Sequence, residues 1–74
     1  MEDVELQDLP PSCKFVYKEV WRHGEIHRQE LIDETGLPER TIARALKRLQ
    51  NGGYIDLDRD SDDLRQVVAK LASG

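Results

Sequence analysis

The side chains with chemistry to offer are gathered in one stretch, residues 38–50, PERTIARALKRLQ. Arg40, Arg44, Lys47 and Arg48 fall on one side of a helical wheel with a single acid, Glu39, so the stretch carries a net +3 in a chain of formal net charge −4. Everything outside it sums to −7. A cationic ridge on an acidic chain suits contact with a polyanion, and a phosphate backbone is the first candidate. The plainer reading is a solvated helix face. No set of nucleophile, base and orienting group is recognisable, nor a glycine-rich phosphate loop, so an enzyme is remote and no cofactor is expected.

The remaining reactive residues point nowhere in particular. The single Cys13 excludes an internal disulfide and a thiol pair for zinc; it reads as a small buried hydrophobe rather than a redox sensor. His23 and His27 are four apart, but Gly24 between them breaks the helix that would align them on a metal, so no metal is expected. His27 falls near a helix start, where its ring meets either phosphate or solvent. The aspartates of residues 56–63 resemble a calcium loop only superficially, since the inner Gly and terminal Glu are missing.

These residues need elements to position them. Seventy-four residues make one domain with a small core. Residues 1–9, MEDVELQDL, hold four acids and no base, and read as a flexible acidic tail before a domain over 10–74. The tail either solubilises the chain or competes with nucleic acid for the basic helix. Pro10-Pro11 starts helix 1, which runs to Arg22 or His23 and stops at Gly24. Cys13, Val16, Tyr17, Val20 and Trp21 share its inner side, and Phe15 lies opposite. Glu25 and Ile26 form an extended link with Ile26 inward. Helix 2 follows from Arg28 to Glu34 or Thr35, with Leu31 and Ile32 buried.

Gly36 ends helix 2, and Pro38 opens helix 3 after so short a link that the two must cross steeply. Ile42, Ala45, Leu46 and Leu49 form the apolar stripe of helix 3, at helical spacing. Asn51-Gly52-Gly53 closes it. Residues 54–58, YIDLD, alternate as a half-buried strand does. A polar turn and a second strand over 65–71, RQVVAKL, complete an antiparallel hairpin, with Val67, Ala69 and Leu71 on one face.

Three helices, a glycine break and one hairpin give a mostly α, α+β class: a winged helix-turn-helix with a C-terminal β-hairpin wing. The segment ELIDETGLPERTIARALKRLQNGGYI, residues 30–55, resembles small winged-helix transcription regulators, the MarR-like group in particular. The likeness extends over residues 10–72.

What the resemblance implies is a sequence-specific regulator that binds double-stranded DNA with helix 38–50 in the major groove. Pro38, Glu39, Arg40, Thr41, Ala43, Arg44 and Lys47 would then face the groove. Arg40 and Arg44 project together, and an arginine can bond guanine O6 and N7 at once. Thr41 would meet phosphate at the helix start. Glu39 either accepts from cytosine or, as favoured here, complements the helix dipole. Lys47 and Arg48 suit phosphate, and Arg28 and Gln29 would clamp the flanking backbone. The wing departs from the pattern: residues 54–65 hold five aspartates against Arg59 and Arg65, a net −3. Such a tip is repelled by phosphate unless Arg59 alone reaches the minor groove.

The competing reading is a winged helix that binds protein, an adaptor in a transcription complex, favoured by the acidic tail, the acidic wing and Phe15. Regulators of this type commonly pair into homodimers. With no helix after the wing, helix 1 and the tail would supply the interface, with Phe15 and Trp21 as anchors. No apolar run is long enough to span a membrane and no signal peptide leads the chain, so a cytoplasmic setting is expected. The excess of Asp and Arg fits either a salt-adapted source, such as a haloarchaeon, or an ordinary small acidic protein.

Overall fold

The computed structural model describes residues 9–63 and 66–72. The elements run α1 (Pro11–His23), β1 (Glu25–His27), α2 (Arg28–Thr35), α3 (Glu39–Asn51), β2 (Ile55–Arg59) and β3 (Val67–Leu71). Pro11 occupies the first turn of α1, where its missing N–H costs nothing. The left-handed Gly36, at φ 73°, closes α2 and hands its N–H to the Ile32 carbonyl. The Thr35 hydroxyl holds the same corner, donating to the Leu31 carbonyl at 2.6 Å and accepting from the Leu37 N–H at 3.2 Å. Two residues on, Pro38 caps α3. The tight corner leaves α3 no course but to cross α2.

The core is aliphatic and lies between the three helices and the sheet. Cys13, Val16 and Val20 of α1, Leu31 of α2, Ile42, Ala45, Leu46 and Leu49 of α3, and Ile26, Ile55 and Ala69 of the strands form it. Tyr17 and Tyr54 meet edge to face at its rim, ring centres 5.6 Å apart. Leu9, assigned to the tail from sequence, packs partly buried against this core. Residues 1–8, with the four tail acids, lie outside the described residues, as do Leu64, Arg65, Ser73 and Gly74.

Two expectations need correction. Trp21 is not on the core face: it is 65% exposed. The buried arc of α1 is turned the other way round the helix, so that Glu19, not Trp21, joins Cys13, Val16 and Val20 inside. The wheel tolerated Trp21 at its edge because it scored apolarity and had no neighbour to pack it against. The link at Glu25–Ile26 is a strand. β1 pairs antiparallel with β3, Ile26 opposite Ala69, and the sheet has the order β1-β3-β2. A three-residue strand has too short a pattern to be read, and its partner lies over forty positions away. In β3, Ala69 joins the core and Leu71 packs against it, on the face the alternation gives them, while Val68 on the other face is also buried, at 8% exposure. Three helices with a β-hairpin wing, mostly α, are otherwise as the sequence has them, with the third strand added.

Candidate nucleic-acid interface

The solvent side of α3 carries the residues singled out above. Ile42, Ala45, Leu46 and Leu49 are buried, which turns Pro38, Glu39, Arg40, Ala43, Arg44, Lys47 and Arg48 outward, all exposed. Arg28, Pro38, Glu39, Arg40, Thr41 and Ala43 line one open depression where the start of α2 meets the start of α3. Ala43, Arg44, Lys47, Arg48 and Asn51 line the next along the helix. Thr41 is half-buried and also lines a cleft toward Pro10, Ser12 and Cys13. Of the four α3 cations, none is paired with a carboxylate among the described residues. Burial pushes the Cys13 thiol up, against a smaller opposing pull from Arg48.

Arg28 and Gln29 are less open to a ligand than their spacing suggested. The Arg28 guanidinium lies 3.5 Å from the Glu39 carboxylate, across the helix-turn-helix corner. Gln29 donates to Asp33 within α2 at 3.3 Å. Both contacts are at the surface, and an exposed ion pair is worth about 0–1 kcal/mol, so phosphate can replace either. Glu39 therefore has a second task beside complementing the dipole: it neutralises Arg28 in the unbound protein.

The wing is separate from this face. Arg59 lines a shallow depression with His27, Asp58, Asp60, Ser61 and Lys70, and none of the α3 cations reaches it. Its acid is partly accounted for. Asp58 pairs with Lys70 at 3.4 Å. Asp60 turns inward and meets Nε2 of His27 at 2.7 Å. His27 is the N-cap of α2, and Glu30 folds back to accept its backbone N–H at 3.2 Å. So His27 faces neither bare solvent nor an open phosphate slot; its ring ties the wing to the start of α2. The bond to Asp60 raises the His27 pKa, and Asp60 is lowered in turn, chiefly by the same bond. No short-range signal links positions 27 and 60, and only the β1–β3 pairing brings them together.

Phe15, 43% exposed, and Trp21 stand on the outside of α1, and neither lines the depressions along α3. No described helix is long and apolar enough to cross a membrane.

Residues 16–56 match the model of a family described as "winged helix-turn-helix DNA-binding". Among solved structures, a probable transcriptional regulator from Pseudomonas aeruginosa is similar at 25% identity and a TM-score of 0.79, over 86% of this chain and 48% of that one. A structure of MarR shares 26% identity, TM-score 0.81, over 89% of this chain and 47% of that one. A mutant MarR from E. coli complexed with operator DNA has the same fold at 24% identity, TM-score 0.81, over 92% of this chain and 49% of that one. The chain thus spans about half the length of the solved structures it matches. No curated protein matches it in sequence.

Proposed function

The chain belongs to the winged helix-turn-helix DNA-binding family, and from that premise we propose that it is a transcription regulator that lays α3 in the major groove of duplex DNA. One observation carries the reading: Arg40, Arg44, Lys47 and Arg48 stand on the outer face of α3, and no carboxylate among the described residues is paired with them. Arg40 and Arg44, one helical turn apart, read base edges, with guanine O6 and N7 the natural partners. Lys47 and Arg48 hold phosphate. Arg28 joins them by exchanging Glu39 for the backbone, and Thr41 with Pro38 marks where the helix start approaches the strand. The protein works in the cytoplasm as a homodimer on a two-fold site, with Phe15 and Trp21 in reach of a partner. Their exposure is also what favours the second reading, an adaptor that docks on another protein.

The test is fluorescence anisotropy on duplexes selected from a random pool, with salt varied. If about four cations neutralise phosphates, log K falls against log salt with a slope near −3 to −4 per protomer, about double for a dimer. Replacing both Arg40 and Arg44 with Ala removes selective binding, each arginine contributing about 1–3 kcal/mol at its own base position. Unchanged affinity in the double variant leaves the major-groove reading without support and favours the adaptor.

A further inference from the structure

The α1–α2 junction holds a cluster that the DNA-binding reading does not use. Glu19 is 7% exposed, the one buried charged residue among those described. A carboxylate taken out of water needs strong partners. Its Oε2 has one, the Arg22 guanidinium at 3.2 Å. Its Oε1 has none of that quality: the same Arg22 nitrogen is 3.5 Å away, and Nε2 of His23 is 3.6 Å away. Both exceed the range in which a charged hydrogen bond is strong. The Glu19 side chain, only 10% exposed, therefore presents an oxygen to a ring nitrogen it does not properly bond.

A third group closes on the same point. Glu34 comes from α2, and one ligand atom from each of Glu19, His23 and Glu34 lies within 4.8 Å of the other two. His23 is the last residue of α1, and Glu34 lies in the last turn of α2, which holds no basic residue. Helix C-termini carry the negative pole of the backbone dipole, so both ends favour a cation there.

We propose that Glu19, His23 and Glu34 bind a divalent transition-metal cation of the Zn2+ class, bridging α1 and α2. One imidazole and two carboxylates form a donor set suited to that ion, and its charge balances the two acids. Ligand atoms about 2.0–2.2 Å from a shared ion lie at most about 4 Å apart. The Glu19–His23 separation already satisfies that limit, and the exposed Glu34 has the freedom to close the rest. Arg22 keeps Oε2, so the ion takes Oε1 without displacing it. The site clips the first helix to the helix-turn-helix. The sequence hid it: Gly24 does separate His23 from His27, but the partners of His23 are Glu19, one turn back, and a carboxylate eleven residues ahead on another helix.

Zn2+ alone is the probe. Calorimetry on the full chain is expected to show one ion per chain with a micromolar or tighter Kd. The two histidines report location by NMR: the ring signals of His23 shift on titration and those of His27 do not. His23→Gln and Glu34→Gln, both at surface positions that spare the core, each weaken binding at least tenfold. Glu19→Gln does the same if it folds, and the other two variants decide the matter if it does not. Binding no tighter than millimolar, equal affinity in either surface variant, or ring shifts at His27 instead would overturn the proposal.

Discussion

Glu39 shows how one side chain can set the affinity of a neighbouring site. It sits in the first turn of α3, where an acid is favoured, and it also holds Arg28 at 3.5 Å. In the proposed complex the same carboxylate would lie near phosphates. Glu39→Gln keeps the side chain's shape, frees Arg28 and removes one like-charge repulsion. We expect it to tighten duplex binding several-fold, because Arg28 no longer has to give up an ion pair, and to leave the salt slope nearly unchanged, because Arg28 meets phosphate in both proteins. Anisotropy titrations at three salt concentrations measure both. The α3 cations were legible in the sequence because their spacing is local and periodic. The Arg28–Glu39 pair was not, since it depends on how the corner folds. Glu19 was missed for a related reason: a helical wheel assigns the inside to apolar letters, and a buried carboxylate answers to neighbours on another helix.

At the scale of elements, two joints position the site. The first is the corner between α2 and α3. Gly36 sits at φ 73°, and a Cβ built there would meet nothing within 4 Å. Gly36→Ala therefore isolates the backbone term, with no clash added. It should destabilise the fold by about 1–2 kcal/mol, the cost of a left-handed L-residue, read from the urea midpoint. The second joint is the His27–Asp60 bond between α2 and the wing. His27's pKa is raised, so its contribution to stability is complete below the ordinary imidazole value of about 6.5 and is lost as pH rises through the raised value. Asp60's pKa is lowered, so its contribution is present above the ordinary value of about 3.9 and is lost as pH falls through the lowered one. The two windows overlap between about pH 4 and 6.5. The Tm gap between wild type and Asp60→Asn should be widest there and should shrink above pH 7. A gap that is flat from pH 4 to 9 would mean the pair is not coupled to folding. Helices and hairpin were readable from periodicity and from the glycines. β1 was not, because three residues carry no period and its pairing with β3 is set by the whole chain's course.

Over the whole molecule, charge is divided rather than averaged. The formal net charge is −4, yet α3 presents four cations within thirteen residues. At physiological salt, exposed charges more than about 8 Å apart hardly feel one another, so the ridge attracts phosphate although the chain as a whole is negative. The same distribution bears on stability. An excess of acid over base repels itself, and a core of eleven clustered residues is small to oppose that. If the acid is an adaptation to salt, the denaturation midpoint should climb with KCl into the molar range; a plateau once ordinary screening is complete marks an unspecialised acidic surface.

The order of the sheet gives the wing's acid a different purpose. With β3 in the middle, β2 is an outer strand whose far side has no hydrogen-bonded neighbour among the described strands. Such a margin is a template on which another chain can polymerise, and ionised side chains along it are a common defence. Asp56 and Asp58 alternate with Ile55 and Leu57 along β2. The pair that looks ill-suited to grasping a polyanion is well suited to keeping crowded copies of the molecule from stitching together edge to edge.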